Sequence, residues 1–218
     1  MTKTQVLERL ALGRVVPVVR AASTDKALEI IEPLLLGGIT IIEVTMTVPG
    51  AIGVIRVLAE RYGDRILVGA GTVLDADTAE ACIDAGARFV VSPGLDLDTV
   101  RACNDRSVVV APGALTPTEI LVAWNAGADI VKVFPCDALG GPKYLKSVKA
   151  PLPHIPLMPT GGVTLDNIAD FFRAGAVAVG VGGNLVAPDL PHHLLVDRAR
   201  AFLERAADAA SLKSNSNS

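Results

Sequence analysis

The 218-residue sequence predicts a single α/β domain, a (β/α)8 barrel of the TIM type with a short N-terminal helix. Three observations predict it. Short apolar, β-branched runs recur eight times and alternate with helical patterns. The runs are apolar almost throughout, as suits parallel strands covered on both faces. No GxGxxG follows the first run, which argues against the open doubly wound sheet that shares the same alternation.

The elements follow in order. Residues 1–14, MTKTQVLERLALGR, read as a short amphipathic helix and lack the apolar core and cleavage site of a secretory signal. The strands are expected at residues 15–20 (VVPVVR), 40–46 (TIIEVTM), 65–73 (RILVGAGTV), 88–94 (RFVVSPG), 107–115 (SVVVAPGAL), 129–135 (DIVKVFP), 155–163 (IPLMPTGGV) and 176–183 (AVAVGVGG). Ser23-Thr24-Asp25 caps a helix running to about Leu36, and Asp75 or Asp77 opens one through Ala85. Thr116-Pro117-Thr118-Glu119 supplies a cap, a proline at the first helical position and an acidic first turn. Thr164 to Asn167 opens another helix. Four helices end in glycine with a strand at once: LLGGITIIEV, DAGARFVV, NAGADIVKV and RAGAVAVGV. Glycine there fits a helix that stops in the left-handed conformation. The barrel domain is expected over residues 1–210, and 211–218, SLKSNSNS, as a disordered polar tail.

Composition narrows the function. Hydrophobic residues make up 50% and charged residues 20%, which is the balance of a folded globular chain. A net charge of −3 gives no reason to expect a nucleic acid or an anionic membrane as partner. No apolar run reaches the roughly 20 residues that span a bilayer. Cys82, Cys103 and Cys136 are few and scattered, so neither a disulfide framework nor a metal knuckle is expected, and a reducing cytoplasm is the expected setting. His154, His192 and His193 show no metal-ligand spacing. Trp124 reads as core or subunit contact, and Lys143, Lys146 and Lys149 as solvated.

Chemistry is expected where the strands end, because barrel enzymes place it at their C-terminal ends. Those ends hold Arg20, Glu43 with Thr45 and Thr47, Gly71-Thr72, Ser92-Pro93-Gly94, Pro112-Gly113, Lys132, Thr160-Gly161-Gly162 and Gly182-Gly183. Strand alternation puts Ile130, Lys132 and Phe134 on one face, Ile41, Glu43 and Thr45 on one face, and Val68, Ala70 and Thr72 on one face. Burial disfavours an ammonium, and a free amine attacks ketones to give imines. A carboxylate beside it can move the protons that such chemistry requires. The competing reading of Lys132 and Glu43 is a buried structural ion pair. PTGG (159–162) and VGVGG (179–183) end the seventh and eighth strands, where backbone N–H groups can hold an anion; tight turns alone would also need such glycines.

Taken in order, IEVTMTVPGAI, VGAGTV, FVVSPG, PGALTPTE, VKVFP, the GGPK segment and PTGGV resemble the 2-keto-3-deoxy-6-phosphogluconate aldolase family, which includes 4-hydroxy-2-oxoglutarate aldolases. The resemblance runs from about residue 8 to 205. It implies a class I, metal- and cofactor-free lyase on a (β/α)8 barrel, a homotrimer acting on a small 2-keto acid. It implies Lys132 as the Schiff-base lysine and Glu43 as the proton-transfer residue. Thr72 would contact the carboxylate of the pyruvyl part, Pro93 and Phe134 would wall the pocket, and Thr160, Gly161 and Gly162 would line the substrate site.

Two departures from the family pattern matter. Thr47 stands where many members have an arginine that pairs with the substrate carboxylate, and a hydroxyl cannot make that bidentate contact. Arg20, at the end of the first strand, is expected to supply the charge instead. In the loop Gly182-Gly183-Asn184, Gly183 stands where relatives carry a serine, so backbone donors remain and a hydroxyl is lost.

The expected reaction is reversible cleavage of 2-keto-3-deoxy-6-phosphogluconate to pyruvate and glyceraldehyde 3-phosphate, or of 4-hydroxy-2-oxoglutarate to pyruvate and glyoxylate. The alternatives are an aldolase for the galactonate epimer or a non-phosphorylated acid, a phosphate-binding barrel isomerase or synthase without imine chemistry, and a non-catalytic oligomeric scaffold.

Overall fold

The structure, a computed structural model, describes residues 1–187 and 189–214. The strands are β1 Val15–Val19, β2 Ile41–Thr45, β3 Leu67–Gly71, β4 Phe89–Val91, β5 Val109–Ala111, β6 Gly113–Ala114, β7 Val131–Val133, β8 Leu157–Pro159 and β9 Val179–Val181. The helices are α1 Lys3–Gly13, α2 Thr24–Leu36, α3 Ala51–Tyr62, α4 Ala76–Asp84, α5 Leu97–Asp105, α6 Pro117–Asn125, α7 Pro142–Lys149, α8 Ile168–Arg173 and α9 His192–Ser214. Residues 211–214, expected in the polar tail, belong to α9, and 215–218 lie outside the described residues.

Every pairing is parallel. One sheet runs β5-β4-β3-β2-β1-β9 and the other β6-β7-β8. The expected fifth strand is split at Pro112, which has no N–H to donate to a ladder. The Pro112 carbonyl still accepts from Lys132 N at 2.9 Å, and Asp129 N donates to Val110 O at 3.1 Å, so the two pieces remain joined through β7. On the other side a parallel bridge pairs Thr160 with Gly180. The result is an α/β fold with a curled parallel sheet.

The curl divides the core in two. Between sheet and helices lie Ile42, Val44, Val68, Ala70, Val131 and Val133. Inside the curl lie Val16, Ile41, Leu67, Phe89, Val91, Val109, Ile130 and Met158, joined by Val6 and Leu10 from α1. The N-terminal helix thus plugs the curl at the end opposite the strand C-termini.

Local sequence explains the helix boundaries. Ser23, Asp75 and Asp96 each accept a backbone N–H at their helix start, and Thr116 with Glu119 forms a reciprocal capping box. Gly38, Gly86, Gly127 and Gly175 all have φ between 97° and 107°, as the helix-ending glycines require.

Two expectations need correction. On β3 Val68 and Ala70 share a face, the one toward the helices, while Leu67 points inward; Thr72, grouped with them by alternation, lies past the end of the strand with φ 57°, which breaks the period. Nor is Lys149 solvated through its ammonium: Nζ donates to Pro153 O at 2.9 Å and Ile155 O at 2.7 Å, tying α7 to the segment before β8. Trp124 is half-buried and meets His154 edge-on, with ring centroids 6.1 Å apart.

Phe89 is 1% exposed and its ring fills the space left by Gly69 inside the curl. Phe89→Ala should therefore lower unfolding free energy by about 3–5 kcal/mol in denaturant titration.

Candidate functional site

The register sets the level of each side chain. Val18 pairs with Glu43, Glu43 with Gly69, Gly113 with Lys132 and Lys132 with Met158. Lys132 on β7 is 4% exposed and Glu43 on β2 is 1% exposed. Their in-strand neighbours Ile130 and Ile41 belong to the inner cluster, so both charged side chains rise inward from its upper edge.

Neither is satisfied by the protein. Both carboxyl oxygens of Glu43 are buried without a hydrogen-bond partner. Lys132 makes no hydrogen bond or ion pair among the described residues; its Nζ lies over the Phe134 ring, 5.1 Å from the centroid. An ion pair within 4.0 Å, the structural alternative, is not formed. Burial pushes the Glu43 carboxyl above the usual carboxylate range, and the positive charges of Lys132 and then Arg20 pull it partly back.

Above this pair lie two cavities. The first, about 190 Å³, is lined by Val18, Arg20, Phe134, Thr160, Gly161, Gly162, Val163, Gly180, Gly182, Gly183 and Asn184. The second, about 300 Å³, is lined by Pro93, Gly94, Leu95, Gly113, Ala114, Leu115, Glu119 and Phe134. Phe134 is the wall they share. Val18 stands beside Glu43 in register and Gly113 beside Lys132, so each cavity opens next to one member of the pair.

The structure thus gathers Arg20, Phe134, Thr160, Gly161, Gly162, Gly182 and Gly183 around one space, with Pro93 across the ring from them. Thr47 and Thr72 are not among the residues lining either cavity. The Thr45 hydroxyl donates to Val19 O at 2.9 Å and lies 2.6 Å from the Thr47 hydroxyl. A carbonyl can only accept, so the Thr45 proton is committed, and Thr47 must donate to Thr45. Thr47 therefore presents lone pairs, not a donor, to anything at the rim. Thr72 has φ 57°, unusual for a β-branched residue, and this breaks the strand period just past Gly71.

Arg20 is exposed and has no ion pair among the described residues. It lines the first cavity together with the glycine loops. Thr160 Oγ1 is buried without a partner.

Asn184 and Asn167 were not expected at the site. Asn184 Nδ2 donates to Val163 O and Asn167 Nδ2 to Gly162 O, both at 2.8 Å, so two loop carbonyls are occupied. The N–H groups of Gly162, Val163, Gly183 and Asn184 have no acceptor among the described residues. This is a donor-rich, carbonyl-poor surface suited to an anion. The signal in the sequence was the amide that directly follows Gly182-Gly183.

The cysteines contribute no nucleophile. Burial pushes the thiols up to about 11 for Cys82 and about 12 for Cys103 and Cys136.

The Glu43 shift fixes the sign of a pH effect. A carboxyl held higher in the fold than in the unfolded chain is tolerated while protonated, and stability is lost as pH rises through its folded value. Glu43→Gln should therefore stabilise the chain at pH 8, and the gain should shrink at pH 4, in paired denaturant titrations.

The chain is similar to known proteins over most of its length. The family model for KDPG and KHG aldolases matches residues 6–198. The 2-dehydro-3-deoxy-phosphogluconate aldolase of Pseudomonas aeruginosa is 37% identical over 81% of this chain and 79% of its own. The 2-dehydro-3-deoxy-6-phosphogalactonate aldolase of Escherichia coli K12 is 32% identical over 87% and 92%. The KDPG aldolase of Legionella pneumophila, solved with pyruvate captured as a covalent carbinolamine intermediate, superposes with a TM-score of 0.79 at 29% identity, covering 95% of this chain and 98% of its own. By the family-model match over residues 6–198 and relatives 35–37% identical over most of its length, the chain belongs to the KDPG and KHG aldolase family, whose members are carbon–carbon lyases.

Proposed function

We propose that the chain is a class I aldolase that cleaves 2-keto-3-deoxy-6-phosphogluconate reversibly to pyruvate and glyceraldehyde 3-phosphate. The observation that carries this is the buried Lys132 amine, unpaired by any described residue, beside the buried and unpartnered Glu43. A structural ion pair would have closed that gap; a pair kept apart leaves both groups for a substrate.

The Lys132 amine attacks the C2 ketone, and loss of water gives a protonated imine. The C4 hydroxyl gives up its proton to Glu43, the C3–C4 bond breaks, and its electrons flow into the imine. The aldehyde departs and a neutral enamine remains. Glu43 returns the proton to C3, and water releases pyruvate and the free amine. The imine acts as the electron sink that a Lewis acid would otherwise provide.

The glycine loops with Arg20 suit an anionic end of the substrate, and Phe134 and Pro93 suit the apolar flank of the pyruvyl group. The Pseudomonas relative, the more similar of the two curated relatives, is named for the gluconate substrate. The reading extends to the frame: β5 and β6 count as one strand of a closed (β/α)8 ring, which the Thr160–Gly180 bridge supports. It also takes in a homotrimer in a reducing cytoplasm, with the three buried free thiols fitting that setting.

Pyruvate with sodium borohydride should add one reduced adduct to Lys132, found by peptide mass, and Lys132→Met should abolish both adduct and aldol cleavage. Cleavage that survives in Lys132→Met would refute the imine and favour an isomerase- or synthase-like barrel. Arg20→Ala should raise KM about 10- to 100-fold, as loss of a charged hydrogen bond does. If the rise appears with pyruvate, Arg20 serves the carboxylate; if only with phosphorylated acids, it serves the phosphate; if with neither, it has no binding role.

A further inference from the structure

We infer that Gly71 is a positioning residue for Glu43: its missing side chain is the seat on which the carboxyl group lies. The inference rests on Glu43 as the proton-transfer group proposed above.

Gly71 ends β3 and pairs in register with Thr45 on β2, the strand that carries Glu43. A Cβ built there would lie 2.0 Å from Glu43 Oε1, 2.6 Å from Cδ and 2.7 Å from Cγ. No real contact of that length survives, so one of the two must move. The backbone of Gly71 is held, because its carbonyl accepts from Met46 N at 2.7 Å. The mobile partner is the Glu43 side chain, which has no hydrogen bond to keep it in place.

Backbone conformation does not explain the glycine. Its φ lies outside the left-handed range that favours glycine, unlike that of Thr72 next to it. What position 71 needs is empty volume. The same device recurs at the other unpartnered group of the mouth, where a Cβ on Gly180 would lie 2.3 Å from Thr160 Oγ1. A glycine seat has a second effect: it offers no side-chain donor, so the carboxyl oxygens stay available to substrate. Any larger residue would push the carboxyl off β3 toward the middle of the mouth, where Lys132 could capture it in an ion pair.

Gly69 is the matched control. It lies two residues earlier on the same strand and face, and its Cβ would meet the Phe89 ring at 2.3 Å. Gly69→Ala creates an overlap of similar size, but the three atoms nearest its Cβ all belong to the Phe89 ring, although Gly69 is the register partner of Glu43.

The test separates two steps with one substrate. Borohydride trapping of pyruvate reports imine formation. Deuterium exchange into the pyruvate methyl group reports proton transfer from the imine to a base, with formation of the neutral enamine, and return of a deuteron. In Gly71→Ala the exchange rate per trapped imine should fall at least about 100-fold, the scale of a lost acid–base group. In Gly69→Ala that ratio should match the wild type even where thermal stability drops. A wild-type ratio in folded Gly71→Ala overturns the inference. If Gly71→Ala does not fold, it is placed in a Glu43→Ala background, which removes the colliding atoms; folding as stable as Glu43→Ala alone supports the seat, and failure to fold there overturns it. Absence of any adduct in the wild type instead defeats the functional reading beneath it.

Discussion

Two ionisable side chains of opposite type are buried within one curled parallel sheet without forming an ion pair, and the rest of the site is arranged around that constraint. Lys132 and Glu43 are both nearly inaccessible, and no described residue forms an ion pair or hydrogen bond with either. Such an arrangement is costly, because each polar group has left water and neither has found a full partner. A fold keeps an expense of this kind only if its packing holds the groups firmly. Here the holding is done by the inner cluster below, by the Phe134 ring beside the amine and by the absence of a side chain at Gly71.

Glycine does different work at different heights in this fold. At the helix ends it turns the chain, as the positive φ values of Gly38, Gly86, Gly127 and Gly175 show. On the inward faces of the strands it makes room: for Phe89 at Gly69, for Glu43 at Gly71, for the Pro93 carbonyl at Gly113 and for Thr160 at Gly180. In the loops after β8 and β9 it leaves backbone N–H groups open beside the first cavity, with Asn167 and Asn184 occupying two of the loop carbonyls. The stability of the core and the openness of the mouth thus use the same residue type for separate physical reasons.

Much of this was legible in the chain. The strand runs, the caps at Ser23, Asp75 and Thr116, and the glycine-ended helices follow from local chemistry, and the structure has them where the residues put them. Lys132 could be singled out because a lone cation in an apolar strand has few harmless explanations. On β3, alternation puts Val68 and Ala70 on one face, but Leu67, Val68, Ala70 and the glycines carry no polar marker to tell inside from outside, and the left-handed φ of Thr72 takes it out of the strand period. The hydroxyl polarity at Thr47 was invisible for another reason. It depends on Val19, on the neighbouring strand β1, through Thr45. The carbonyl-blocking role of Asn184 likewise needs Val163, on a different loop. Local propensity reads elements; contacts between strand ends appear only once the sheet has curled.

The most direct measurement is a crystal structure of the protein soaked with pyruvate and frozen during turnover. Continuous density from Lys132 Nζ to C2 of pyruvate, with the Glu43 carboxyl within hydrogen-bond reach of the adduct and still resting on Gly71, is the predicted result. Pyruvate bound without a covalent link, with Lys132 drawn into an ion pair with Glu43, would contradict the account.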